Sequence, residues 1–413
     1  MFKKVLSLVL ALALCVGACV GLASCGNDDF KVGFICLHDE NSTYDNNFIQ
    51  AAYAAQQALG LKDSQVIIKK NIPETTACYD AAVELVEDGC KVIFADSFGH
   101  EEFMIQAAEQ YPDVQFCHAT GTSAKSKNLS NFHNAFASIY EGRYLAGVAA
   151  GLKLNAMLAE GKITPEQLKI GYVGAFTYAE VVSGLTSFFL GVKSQLSDEN
   201  KSKFTMDVKF TGSWYTVTGE RETANALIDG GCVLLSQHAD SMGAPSACQN
   251  HMKGNVKDPI PNVSYNGSTV ASCGDSYIVA SRINWEPYFE YMINNTKAGT
   301  AFDTDWCGTL SNSSVVLTDV NDKVAAANTQ SVIDTVKAEL KAGTRHVFDT
   351  NTFTVNGQKL PDGYKVDGIA VVSDGYFHES DVTLYRSAPY FALQIDGINF
   401  LNQVFDPIDW EEN

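Results

Sequence analysis

The stretch that decides the fold runs from Lys31 to Asp96: KVGFICLHDENSTYDNNFIQAAYAAQQALGLKDSQVIIKKNIPETTACYDAAVELVEDGCKVIFAD. It opens on an apolar run, KVGFICL (31–37), that reads as a buried strand. An Ala-rich segment follows, Asp45–Leu59, in which Phe48, Ile49, Ala52 and Leu59 fall on one helical face. QVIIK (65–69) is strand-like again. Thr75–Asp88 places Ala77, Ala81, Ala82, Leu85 and Val86 on one stripe, and Gly89 stops it. KVIFAD (91–96) closes the unit as a third strand. Strands alternating with helices of this length call for a parallel sheet with helices on both faces.

The alternation continues outward. Helical patterns cover Glu101–Gln110, Tyr140–Glu160, Ala179–Leu196, Glu220–Asp229, Ala244–Lys253, Pro287–Ala298 and Gln330–Lys341. Strand patterns cover Val114–His118, Asn131–Ser138, Lys169–Phe176, Met206–Gly212, Cys232–His238, Asn262–Asn266 and Ser276–Ile283. That is too much for one small sheet, so the expectation is α/β with two doubly wound parallel-sheet lobes. Residues 31–137 would form lobe 1, with part of 286–360, and 138–285 would form lobe 2, with part of the C-terminal region. Asn128–Gly142 holds the first crossing between them. Residues 361–413 read as irregular, and Val355–Gln358 as a hairpin turning on Asn356-Gly357.

The 413 residues carry 29 basic and 48 acidic side chains, a formal charge of −19. Such an acidic surface repels phosphate, which argues against a nucleic-acid partner. At the N-terminus, Lys3 and Lys4 precede an uncharged apolar run from Val5 to Val20, then Leu22-Ala23-Ser24-Cys25-Gly26. This resembles a bacterial lipobox: residues 1–24 would be a signal peptide, Cys25 the acylated new N-terminus and 25–30 a short tether. The body would then be held on the extracytoplasmic face of the cell membrane by lipid, with no spanning helix after the signal. The other cysteines (Cys36, Cys78, Cys90, Cys117, Cys232, Cys248, Cys273, Cys307) form no C-x-x-C pair and no zinc-type spacing. One or two disulfides among them stay open.

No phosphate-binding loop, zinc-protease, nucleophile-elbow or dinucleotide motif occurs, so neither an enzyme nor a cofactor is expected. Polar and aromatic residues instead cluster where strands end, on the rim where doubly wound sheets bind ligands. These clusters hold Tyr44, Asn47 and Phe48; Ser97 and Phe98; Phe176; Trp214; Gln237 and Asp240; Asn266; and Trp285. Aromatic plates with amide and carboxylate partners suit a flat, nitrogen-rich ring. Each cluster alone has a plainer reading, such as Asp45 or Asp240 as a helix N-cap.

Together the motifs resemble the basic membrane lipoprotein family, the substrate-binding proteins of purine or nucleoside ABC importers. Tyr44-Asp45-Asn46-Asn47-Phe48 is similar to its N-D-K-S-F, and Val92–Gly99 to its strand ending in Phe-Gly. Glu141–Gly147 is similar to E-G-S-Y-L-A-G, Gln237–Ser241 to Q-H-T-D-S, and Asn284–Phe289 to N-W-G-P-Y-Y. The resemblance implies the type I periplasmic-binding-protein fold, two lobes joined by a hinge of three crossings. It implies Phe48 stacked on a purine with Trp214 or Phe176 on its other face, and Asn47, Ser97, Gln237 and Asp240 on its edges. It further implies an ABC permease and ATPase as partners, a monomer and no metal. Asn266-Gly267-Ser268 stands where nucleoside-binding members carry an aspartate pair, and a Lys near Asn284-Trp285 is missing, which favours a free base over a nucleoside. Other solutes on this fold, a sugar or a flavin-like ring, and a ligand sensor are the competing readings.

Overall fold

The computed structural model describes residues 30–404. Its first sheet is built from β1 (Lys31–Ile35), β2 (Val66–Lys69), β3 (Cys90–Ala95), β4 (Gln115–Ala119), β5 (Phe132–Ala137) and a late arrival, β11 (Asp305–Gly308). The order is β2-β1-β3-β4-β5-β11 and all pairs are parallel. The second sheet holds β6 (Lys169–Gly174), β7 (Thr205–Phe210), β8 (Leu235–His238), β9 (Asn262–Tyr265), β10 (Tyr277–Ile283), β12 (Val315–Leu317) and β13 (Ile398–Phe400). Its order is β13-β7-β6-β8-β9-β10-β12, parallel except that β12 runs against β10. The architecture is thus the doubly wound α/β arrangement expected from the strand–helix alternation, made twice. In each sheet the strand order reverses beside the first strand, between β1 and β3 and between β6 and β8. Such switch points open a crevice beyond the strand ends.

Local chemistry sets the helix ends. α1 (Thr43–Ala58) starts where the Ser42 side chain accepts the Asp45 N–H, and α2 (Thr76–Glu87) where Thr75 accepts that of Ala77. Such caps are worth about 1 kcal/mol each. Gly89, at φ 91°, turns the chain after α2 into β3. α3 (Glu101–Gln110) links β3 to β4. In lobe 2 the connectors are α5 (Ala179–Ser194), α6 (Val217–Asp229) and α7 (Gly243–Gln249). The helix expected over Ala244–Lys253 ends early, because Gly254 (φ 62°) folds Met252–Lys253 back onto Val256–Lys257 as a small hairpin.

Three passages join the sheets. β5 leads directly into α4 (Ile139–Ala159), which packs on α5 and β10 of the second lobe. That packing is close: a Cβ at Gly191 would lie 2.1 Å from the Tyr144 carbonyl oxygen, so only glycine fits. β10 leads into α8 (Glu286–Ala298), which packs back on α1. β11 then returns through residues 309–314 to β12. At the second passage Trp285 stacks on Phe48, centroids 4.6 Å apart, and Phe94 and Phe289 close round them. Rings so buried contribute about 1.5–3 kcal/mol each from area alone.

After α9 (Thr329–Lys341) the chain keeps little regular structure yet is firmly attached. Val355 and Gln358 pair across the Asn356-Gly357 turn, with φ of 51° and 77°, as the motif predicts. Further on, Lys125 Nζ donates to the Val382 and Tyr385 carbonyls, and Asp305 Oδ2 accepts from Ser387 N at 3.1 Å, all on the first lobe. β13 then zips onto the edge of β7 in the second lobe. The eight cysteines described are free thiols, seven of them buried. Among the described residues no helix is long and apolar enough to cross a membrane. Cys25 lies outside them.

Candidate ligand-binding cleft

The two switch points face each other, and the lobes meet around them. Asp240 O accepts from Thr43 N at 3.0 Å and from Thr43 Oγ1 at 3.1 Å. Asn47 Nδ2 donates to Ile283 O at 2.5 Å while its Oδ1 accepts from Arg282 Nη1 at 3.2 Å. Phe98 and Tyr178 stack across the mouth at 4.9 Å. The lobes are therefore closed on a narrow cavity of about 20 Å³, lined by Leu37, Tyr44, Asp45, Ser97, Phe98, Thr120, Glu180, Trp214, His238 and Asp240.

On the lobe 1 side, Asp45 is tied down. Its carboxylate accepts from His38 N at 2.7 Å and Ser42 Oγ at 2.6 Å, with His38 Nδ1 at 3.4 Å. Burial alone would raise its pKa, but these hydrogen bonds outweigh burial and hold it below the usual carboxylate range. Tyr44 OH donates to Asp96 O at 2.8 Å, and Ser97 Oγ to Glu74 Oε1 at 2.6 Å. Thr120 sits at φ 65°, an uncommon conformation for a β-branched residue.

The lobe 2 side is looser. Asp240 is buried, and its pKa is pushed well above the ordinary value by burial first, then by the charges of Asp45, Glu220 and Glu180, with Asn266 opposing. Glu180 makes one long contact, Oε1 to His238 Nε2 at 3.4 Å. Burial pushes the His238 pKa down. Behind them Arg143 is fully buried over the Tyr265 ring and donates to Gln237 O at 2.7 Å. Trp214 is half-buried, edge-on to Phe176 at 4.9 Å, and its carbonyl accepts from Asp240 N at 2.9 Å.

Of the residues singled out in the sequence, Tyr44, Ser97, Phe98, Trp214 and Asp240 border the cavity. The others stand one layer back. Phe48 and Trp285 are spent on each other in the core, so Tyr44, one helical turn before Phe48, presents its ring instead. Asn47 is a strut between lobes, and Phe176 backs Trp214. Gln237 Nε2 donates to Ala239 O and Ser241 O and so shapes the loop carrying Asp240. Asn266 (φ 62°) stands beside Asp240. Leu37, Thr120, Glu180 and His238 complete the lining and are not among the residues singled out; Asp45, a member of the strand-end cluster with a helix cap as its plainer reading, lines it too, and the cap is Ser42. Reading two residues further past Tyr178 would have reached Glu180. Nothing in the sequence marks Thr120.

Twin doubly wound lobes, three passages and a closed cavity between the switch points define the type I periplasmic-binding-protein class of fold. Solved structures of that class share the fold: a solute-binding protein from Aeropyrum pernix K1 superposes with a TM-score of 0.61 at 14% identity, covering 76% of this chain and 92% of that one. One from Conexibacter woesei gives 0.58 at 20% identity, covering 77% and 98%. Within the class, this chain belongs to the Bmp family, the PnrA-like ABC transporter substrate-binding proteins, whose model matches residues 34–345. It is 30% identical over 289 residues to a purine-binding protein of Brucella abortus, covering 69% of this chain and 73% of that protein. It is also 30% identical over 251 residues to a putative glucose-binding protein of an ABC transporter in Haloferax volcanii, covering 59% of this chain and 57% of that relative.

Proposed function

We propose that this protein is a Cys25-anchored, extracytoplasmic receptor that binds a free purine base between residues 31–137 and 138–285 and delivers it to an ABC permease. The observation that carries the reading is the set of rings and carboxyl groups that line the cavity between the lobes. At about 20 Å³ the free space between the closed lobes has room for roughly one water, so a ring enters only as the walls part and settles between them. Asn266-Gly267-Ser268, where nucleoside-binding members of the family carry an aspartate pair, favours a base over a base with its ribose. Tyr44, Phe98 and Trp214 offer ring faces, while Glu180 and Asp240 offer polar groups for a heterocycle's edge. The purine-binding relative points the same way. Closure traps the ligand, and the ligand favours the closed form only through its extra contacts there. No catalytic role is assigned to any of these residues.

A small sugar is the second reading. Carboxyl groups beside aromatic rings also suit hydroxyl-rich ligands, and one relative is a putative glucose-binding protein. Isothermal titration with adenine, guanine and hypoxanthine, their nucleosides, and a set of pentoses and hexoses separates the two. Free bases should bind most tightly. Binding by sugars alone would refute the purine assignment.

A further inference from the structure

Behind the lobe 1 wall lies a cluster that ligand capture leaves unused. Cys36 follows β1, Asp45 sits in the first turn of α1 and Asp96 follows β3. One thiol sulfur and two carboxyl oxygens from these residues lie within 4.8 Å of one another, all buried. Asp96 is fully buried and its Oδ2 has no hydrogen-bond partner. His100, equally buried, points an unpartnered Nδ1 to within 4.0 Å of Asp96 Oδ1. Buried polar atoms left without partners are costly, so an occupant that satisfied them would be stabilising.

We infer that Cys36, Asp45 and Asp96 form a site for a borderline divalent cation of the Zn²⁺ type. One sulfur and two oxygens are a poor match for Mg²⁺ or Ca²⁺, which take six or more oxygens. They match zinc, which accepts sulfur and oxygen together in a tetrahedron. With Zn–S of about 2.3 Å and Zn–O of about 2.0–2.2 Å, the ligand atoms would draw in to roughly 3.3–3.6 Å apart. Asp45 keeps its bonds from His38 and Ser42, since each carboxylate oxygen has two lone pairs. His100 then serves as the outer partner that orients Asp96. A water would complete the tetrahedron.

Cobalt is the probe. The full chain, purified with chelator and then titrated with Co²⁺, should bind one equivalent and develop the near-ultraviolet absorption of a thiolate–Co²⁺ bond. Zn²⁺ should bleach that band and Mg²⁺ should not. Cys36→Ser and Asp96→Asn should abolish it, while Cys248→Ser, a buried thiol of lobe 2, should keep it. Zn²⁺ should also raise the melting temperature of the parent and leave that of Cys36→Ser unchanged. Circular dichroism of each variant confirms that it is folded. No band in the parent, or a band that survives Cys36→Ser, overturns the site and leaves a hydrogen-bonded acid pair beside a thiol. None of these readouts requires a purine, so a failed ligand assignment would not touch them.

Discussion

The two walls of the cleft rest on the same strand order and behave differently. In lobe 1 the groups facing the cavity are committed elsewhere: Asp45 to His38 and Ser42, Tyr44 to the Asp96 carbonyl, Ser97 to Glu74. In lobe 2 Glu180 has one long contact and Asp240 is held through its backbone. The fold decides where a wall stands; the neighbours of each side chain decide whether it has anything left to offer. Lobe 1 is thus a preset surface, and lobe 2 is where a ligand finds uncommitted groups. Substitutions in lobe 2 should cost affinity, and those in lobe 1 should cost stability.

The largest effect should come from Trp214→Ala, which removes a ring from the lobe 2 wall. Loss of a stacked face is worth about 1–3 kcal/mol, so base affinity measured by calorimetry should fall tenfold or more. Glu180→Gln should weaken binding about fivefold, in line with roughly 1 kcal/mol for a hydrogen bond; equal affinity would break the contrast. Ser42→Ala strips the α1 cap and one Asp45 partner. Chemical denaturation should show a loss of about 1 kcal/mol, with affinity within twofold. The smallest effect is a pH dependence. Asp240 has its folded pKa raised, so its contribution to stability is complete below the unfolded value near 3.9 and is lost as pH rises through the folded one. Asp240→Asn should flatten the decline of melting temperature above about pH 4. An unchanged slope would mean that Asp240 ionises in the fold as freely as in the unfolded chain.

Much of the architecture was legible because period-2 and period-3.6 patterns alternate without a break from Lys31 to Lys341. Strand ends then pointed to the loops that carry Ser97, Trp214 and Asp240. What the pattern could not decide is which of two residues on one helical face reaches the cavity. Tyr44 and Phe48 are four apart, with rings 4.9 Å from each other, and the choice between them rests on Trp285, far along the chain. Thr120 was invisible because its left-handed backbone is imposed by surrounding structure, with no glycine to signal it. The short α7 failed for a related reason, since a turn at Gly254 outweighed the helical run before it.

The run beyond Arg345, where the family match ends, touches lobe 1 at Ser387 and is strand-paired to lobe 2 from Ile398. It crosses from the second lobe to the first and back again, adding two covalent connections between the halves to the three of the hinge. Eleven peptide steps separate those two anchors, a reach of about 36–40 Å when drawn straight. The tail can therefore stay moored at both ends while the jaws part, like a mooring line with slack. Its moorings would have to slip only in a separation wider than that span.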